Sequence, residues 1–145
     1  MHCRFTHDLG VGSSTNSYAY DGFKRKSLNG NDTTFGENWT IGDVIGTCID
    51  LTNGKIMYWR NGHYMGTAFK DVPSGQNKVY FPTVSLHKGQ RVIFNFGNRP
   101  FNNELATAFM PLDAPSCLKN RYFDVAQIFF DTFFDFLVAF VDPKS

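Results

Sequence analysis

Apolar and polar residues alternate most clearly near the end of the first hundred residues. Residues 91–96, Arg-Val-Ile-Phe-Asn-Phe, have the period of two that is typical of a strand with one buried face. The run 79–86 is also rich in aromatic and β-branched residues, and the four residues 87–90 between the runs are few enough for a hairpin connection. We therefore predict two strands joined as a hairpin.

Two Asn-Gly pairs, Asn53-Gly54 and Asn61-Gly62, divide the stretch from 42 to 69. Asn and Gly both tolerate positive φ, so this pair is the strongest short-range sign of a hairpin. The stretch is predicted to form a three-stranded antiparallel meander with Trp59 in its core. Gly46 interrupts the first strand and indicates a bulge or a close approach of another backbone.

The preceding part of the chain contributes one further strand. Tyr18 and Tyr20 fall on one face of it, and Asp21-Gly22 forms the turn that ends it. Residues 12–16 and 28–38 are rich in small polar residues and are predicted to be loops. The elements together predict an all-β protein that closes as an antiparallel β-sandwich.

The composition changes after Pro100. Residues 102–119 have no clear period and are predicted to form a linker, whereas 120–142 are strongly apolar. Polar residues recur there at helical intervals: Asp124, Gln127, Asp131 and Asp135. We predict an apolar helix over 120–142, as part of a following helical region. Its longest uninterrupted apolar run, 136–141, is far shorter than the roughly 20 residues of a membrane span, so no membrane is expected as a partner.

Composition and charge narrow the function classes. The chain has 145 residues, of which 42% are hydrophobic and 17% aromatic, so it can bury a core as one domain. The formal net charge is +1 and the basic residues are dispersed apart from Lys24-Arg25-Lys26, which argues against a nucleic-acid partner. Three widely spaced cysteines indicate reduced thiols and hence a cytoplasmic or nuclear protein.

No residue pattern indicates catalysis, a metal site or a cofactor. The four histidines lie in unrelated contexts without a nucleophile elbow, and Gly10-Val11-Gly12 lacks the third glycine of a phosphate loop. Asp43 and Asp50 were considered as an acid and base pair, but Asp43 is better explained by the turn that enters the strand. We predict no catalytic residue, no metal ligand and no cofactor.

Several short blocks occur in the order and spacing of a known family. They are Ser17-Tyr18-Ala19-Tyr20-Asp21-Gly22, Gly42-Asp43-Val44-Ile45-Gly46, Asn61-Gly62, Gly66-Thr67-Ala68-Phe69, Tyr80-Phe81-Pro82-Thr83-Val84-Ser85-Leu86 and Phe94-Asn95-Phe96-Gly97. Together they resemble the SPRY domain, also called B30.2/SPRY, over residues 1–101. The resemblance implies an antiparallel β-sandwich. It also implies that strands which normally precede Gly10 are missing, so that this part is an N-terminally truncated domain.

The resemblance further implies a protein-interaction function. SPRY domains bind short peptides or folded partners through loops at one edge, and similar members occur in RING-type E3 ubiquitin ligases. Carried over by position, the contacting residues would be Thr6, His7, His87, Lys88 and Gly89. The predicted function is recruitment of a substrate or partner within such a ligase. The alternative is a structural SPRY domain, as in a Ran-binding-type scaffold protein, that contacts only further domains of its own parent.

Overall fold

The structure is a computed structural model, and it describes residues 10–13, 17–28, 30–75, 78–97, 99–101, 123–130 and 137–141. In the last two ranges only the backbone is described.

Ten strands lie within the described residues. They are β1 Ser17–Asp21, β2 Phe23–Leu28, β3 Asn31–Asn38, β4 Val44–Asp50, β5 Lys55–Arg60, β6 His63–Phe69, β7 Phe81–Ser85, β8 Val92–Asn95, β9 Phe123–Phe130 and β10 Leu137–Val141. Every pair of neighbouring strands is antiparallel. The prediction of an all-β protein built from antiparallel sheets is therefore confirmed, and the sandwich closure remains a prediction.

The chain divides into two compact units, and each unit contains one sheet. The first sheet has the strand order β3-β2-β1-β10-β7, and Tyr20 and Ala19 lie fully buried on its strand β1. Trp39 follows β3 and is also buried, with its ring 4.8 Å from that of Tyr20 in an edge-to-face arrangement. An aromatic pair of this geometry adds to the stability gained from burial alone.

The second sheet has the strand order β6-β5-β4-β9-β8, in which β4, β5 and β6 form the predicted meander. Asn61 and Gly62 are the only residues between β5 and β6, and both have positive φ, 49° and 86°. Positive φ at both central residues is typical of the two-residue hairpin turn whose backbone follows the right-handed twist of the flanking strands. The hairpin predicted from Asn61-Gly62 is therefore confirmed. The connection at Asn53-Gly54 is longer, because it also includes Leu51 and Thr52.

One face of the second sheet is buried. Fully buried side chains project from it on β4 and β5: Ile45, Ile49, Ile56 and Tyr58. The opposite face carries Cys48, on which Phe101 packs together with Met57 and Trp59. Trp59 is only half-buried, so the fully enclosed tryptophan is Trp39 rather than the predicted Trp59.

Three local predictions for the first hundred residues were wrong. Residues 31–38, predicted to lie in a loop, form β3, which pairs with β2. The prediction failed because an exposed edge strand tolerates polar residues, and local composition does not reveal the pairing with β2. No bulge occurs at Gly46, which pairs regularly on both sides, so of the two alternatives predicted there only the close backbone approach stays a prediction; the register shifts instead between β5 and β6. Finally, β7 and β8 do not form a hairpin: β7 pairs with β10, and β8 with β9.

Two parts of the segment 120–142 are described, and the helix predicted over the whole segment stays a prediction. Residues 123–130 and 137–141 are strands β9 and β10, and no helix occurs in the described part of the chain. β9 lies between β4 and β8, and β10 between β1 and β7. Interior strands are often continuously apolar, and Phe, Val and Ile favour strands, so the apolar run is compatible with this position. The remaining residues of 120–142, and the linker 102–119, lie outside the described residues.

Candidate partner-binding site

The turn after β7 contains three of the five predicted contact residues. His87, Lys88 and Gly89 are all exposed, and they follow directly on the end of the strand at Ser85. Gly89 has φ +92°, and nothing lies within 4 Å of where its Cβ would be. Glycine adopts this left-handed conformation without the steric cost that other residues have, so Gly89 allows the turn.

Leu86 belongs to the same exposed turn and is not among the predicted contact residues. Leu86 is 41% exposed. The sequence placed it at the end of a predicted strand, and alternation alone could not decide whether it faced the core. Leu86, His87, Lys88 and Gly89 are called the 86–89 turn below.

The Gly10–Ser13 turn is anchored next to the 86–89 turn. The Val11 amide donates to Ser85 Oγ at 2.9 Å, and Val11 itself is buried. The Gly12 amide donates to Ser17 Oγ at 2.6 Å, and the Gly12 carbonyl oxygen accepts from the Gly30 amide at 2.7 Å. These bonds join the turn to β7, to β1 and to the connection between β2 and β3.

The hydrogen bond between Val11 and Ser85 therefore brings together two segments that are far apart in the sequence. The predicted contact residues Thr6 and His7 precede the Gly10–Ser13 turn but lie outside the described residues. The arrangement of polar loops on an antiparallel sheet is suited to binding, because a regular scaffold holds exposed groups in place.

Asp43, one of the two carboxylates considered for acid and base chemistry, has a structural role. Its Oδ2 accepts from the Thr40 amide at 2.6 Å and from Arg60 Nε at 2.8 Å, and its Oδ1 accepts from Asn61 Nδ2 at 2.7 Å. Burial raises the pKa of Asp43, but the hydrogen bonds from Arg60, Asn61 and Thr40, together with the Arg60 charge, outweigh it and leave the pKa lowered. Asp43 is thus an ionised carboxylate that holds a turn, as predicted.

Asp50 has a similar role at the other end of β4. Its Oδ1 accepts from the amides of Thr52 and Asn53 at 3.0 and 2.9 Å, and its Oδ2 accepts from Asn53 Nδ2 at 2.7 Å. These contacts form the connection to β5. Because the two carboxylates lie at opposite ends of one strand, they do not form an acid and base pair.

No alternative chemistry is found within the described residues. They contain no group of three or more His, Cys, Asp or Glu side chains that could hold a metal ion. They also contain no helix of the length and apolarity that crossing a membrane requires. Cys48 is buried. Exposed loops on antiparallel sheets are the feature that β-sheet interaction modules use for binding.

The comparison with protein families agrees with this class. The family model of the SPRY domain matches residues 1–99, and the chain belongs to the SPRY domain family. SPRY domains are protein-interaction modules rather than enzymes.

Two curated relatives show how the family is used in longer proteins. The chain is 40% identical to the E3 ubiquitin-protein ligase RKP of Arabidopsis thaliana over 118 residues, which is 80% of this chain and 9% of the ligase. It is 43% identical to the Ran-binding proteins 9/10 homolog of Drosophila melanogaster over 88 residues, 59% of this chain and 9% of that protein.

The predicted resemblance to the SPRY domain of a ubiquitin ligase is thereby confirmed. The chain spans about a tenth of the length of these two relatives. No solved structure matches the chain significantly.

Proposed function

We propose that this chain is a non-catalytic module that recruits a protein substrate or partner to a RING-type E3 ubiquitin ligase. The observation that carries the proposal is the 86–89 turn, whose exposed residues lie on a sheet and are braced by the bond between Val11 and Ser85. The 40% identity to a ubiquitin ligase over most of the chain supports the link to ubiquitination. The other contact residues in this proposal are Thr6 and His7, and no cofactor takes part.

The binding step is tested with a double variant of the 86–89 turn. The immobilised 145-residue chain, the variant His87→Ala/Lys88→Ser and the control Lys70→Ser are each exposed to cytosolic extract, and captured proteins are quantified by mass spectrometry. Lys70 is exposed and belongs to the second unit, whereas the turn belongs to the first, so its replacement removes the same formal charge without changing the turn. At least one protein captured by the parent and the control should fall more than fivefold with the double variant. Equal capture by all three chains contradicts the proposal.

The ligase step needs its own measurement. When the isolated chain is overproduced in cells, it should compete with the full ligase and lengthen the half-life of the captured protein. The His87→Ala/Lys88→Ser variant should not have this effect. An unchanged half-life with the parent chain contradicts the link to ubiquitination but leaves the binding result intact.

A second candidate is a structural domain of a Ran-binding-type scaffold without an external ligand. The 43% identity to a Ran-binding protein homolog favours it. In this case the captured material should be segments of the parent protein, and replacement of His87 and Lys88 should not change the capture.

A further inference from the structure

The two Asn-Gly pairs lie at opposite ends of the hairpin formed by β4 and β5. Asn53-Gly54 belongs to the connection from β4 to β5, and Asn61-Gly62 is the turn from β5 to β6. Both asparagines are exposed to solvent. Glycine has no side chain to shield its amide nitrogen, so this nitrogen can attack the side chain of the preceding asparagine. Each pair is therefore a candidate for spontaneous deamidation.

Deamidation is an intramolecular reaction of the asparagine side chain. The amide nitrogen of the glycine forms a bond to Cγ of the asparagine, and the bond from Cγ to Nδ2 breaks. Nδ2 leaves as ammonia, which takes up the proton that the glycine amide has lost. The resulting succinimide ring adds one water molecule, which opens either of its two C–N bonds and gives aspartate or isoaspartate. The rate depends on how often the side chain reaches the geometry of attack.

The structure restrains the Asn61 side chain at both of its polar atoms. Its Oδ1 accepts from the Val44 amide at 2.8 Å, and its Nδ2 donates to Asp43 Oδ1 at 2.7 Å. The Asn61 amide also donates to the Val44 carbonyl oxygen at 2.8 Å. Attack makes Cγ tetrahedral and displaces Oδ1 and Nδ2, so it disrupts both side-chain bonds. We therefore expect Asn61 to react slowly, although its sequence is the reactive one.

The Asn53 side chain is restrained less. Its Nδ2 donates to Asp50 Oδ2 at 2.7 Å, and within the described part of the chain no bond to its Oδ1 is found. The connection that contains Asn53, residues 51–54, is also longer than the two-residue turn of Asn61. A longer connection with fewer bonds opens locally at a lower free energy, so Asn53 should reach the geometry of attack more often.

Conversion of Asn53 would change the end of β4. An aspartate in its place would set a carboxylate oxygen against Asp50 Oδ2, where a donor now meets an acceptor. Asp50 is buried, so salt and water screen this repulsion only weakly. The isoaspartate product also adds one carbon to the main chain, in a connection that Asp50 holds through the amides of Thr52 and Asn53.

We propose that Asn53 is a site of spontaneous deamidation whose products loosen the connection between β4 and β5. The hydrogen bonds to Asp43 and Val44 protect Asn61 from the same reaction. Both asparagines belong to the second unit, whereas the 86–89 turn belongs to the first, so the inference stands independently of the proposed function.

The rates are measured on the whole 145-residue chain during incubation in neutral buffer. Peptide mapping by mass spectrometry quantifies asparagine, aspartate and isoaspartate at positions 53 and 61. Asn53 should react about tenfold faster than Asn61 in the folded chain, and the two rates should become similar in urea. Asp43→Ala should bring the rate of Asn61 close to that of Asn53. Tyr20→Phe, which lies in the other unit, should leave the ratio of the two rates unchanged.

The effect on the connection is measured with variants that imitate the product. Asn53→Asp should have a lower urea midpoint than Asn53→Ser, because both remove the Nδ2 donor but only aspartate adds a charge beside Asp50. Equal midpoints would contradict the loosening of the connection. Equal rates at Asn53 and Asn61 in the folded chain, or an Asn61 rate that Asp43→Ala leaves unchanged, would overturn the protection of Asn61. Absence of aspartate and isoaspartate at position 53 would overturn the site itself.

Discussion

The hydroxyl of Tyr20 both donates to the carbonyl oxygen of Glu37, at 2.7 Å, and accepts from the amide of the same residue, at 2.9 Å. The pairing of β2 with β3 shifts register at this point, between Phe23 and Arg25, and Lys24 has φ 59°. The shift takes Glu37 out of the regular ladder, and one buried side chain from β1 satisfies both of its backbone groups. A hydroxyl can serve here because it is donor and acceptor at once.

Tyr20→Phe should therefore destabilise the protein although it removes only one atom. It leaves the amide and the carbonyl of Glu37 without these bonds, which costs about 1 to 3 kcal/mol. Urea denaturation gives the free energy of unfolding. Tyr64→Phe makes the same chemical change at an exposed tyrosine and should cost less than about 0.5 kcal/mol. Equal effects at the two positions would contradict the role of the Tyr20 hydroxyl.

Gly36→Ala should lower the free energy of unfolding more than Gly42→Ala does. Both glycines have positive φ, 68° and 88°, so each substitution carries a backbone cost of roughly 1 to 2 kcal/mol. At Gly36 an added Cβ would also lie 2.5 Å from the Tyr20 hydroxyl oxygen, whereas at Gly42 nothing lies within 4 Å. Chemical denaturation of the two variants gives the difference.

A double-mutant cycle isolates the clash at Gly36. Removal of the hydroxyl in Tyr20→Phe/Gly36→Ala relieves the closest contact, so the double variant should be more stable than the sum of the single effects implies. Part of the penalty should remain, because the added Cβ would also lie 2.8 Å from Cζ of the Tyr20 ring. Strict additivity would show that the two residues are not coupled.

Stability should fall in acid in a way that depends on Asp43. Because the pKa of Asp43 in the folded protein is lowered from its ordinary value of 3.8, the folded state binds fewer protons than the unfolded state. The stabilisation is complete above pH 3.8 and is lost as the pH falls through the folded-state pKa. Asp43→Asn should flatten this part of the profile of unfolding free energy against pH.

Arg60→Gln gives a second arm for this experiment. It removes the leading hydrogen bond and the positive charge that lower the pKa of Asp43, so the folded-state pKa should rise towards its ordinary value and the stability lost in acid should be smaller than in the parent. If Arg60→Gln leaves the acid profile unchanged, the ion pair does not control the ionisation of Asp43.

The two tryptophans should differ in their contributions to stability. Trp39 is 6% exposed and contacts Tyr20, so Trp39→Ala should cost roughly 3 to 5 kcal/mol. Trp59 is only half-buried, where it packs against Cys48 and Phe101, and Trp59→Ala should cost only about 1 to 2 kcal/mol. Thermal unfolding followed by circular dichroism compares the two variants, and a larger loss with Trp59→Ala would contradict the burial seen here.

Prediction from sequence succeeded where the information is local. The positive φ that Asn61 and Gly62 tolerate predicts their turn, and the turn specifies which residues of β5 and β6 face each other. Asp43 was likewise predicted as a turn residue from its place after Gly42. The exposed residues His87, Lys88 and Gly89 came from the family resemblance rather than from any local pattern.

The amino-acid sequence by itself determined the strand character of β1 and of β4 to β8, the meander with its turns, and the family. Only the tertiary structure decided which strands pair, because the partner of a strand depends on burial and on contacts between distant residues rather than on its own composition. Thus the polar run 31–38 became an edge strand beside β2, and the apolar segments 123–130 and 137–141 lie inside the sheets. The tertiary structure also decided the hydrogen bonds from Tyr20 to Glu37 and from Val11 to Ser85, since each joins residues that no local pattern connects.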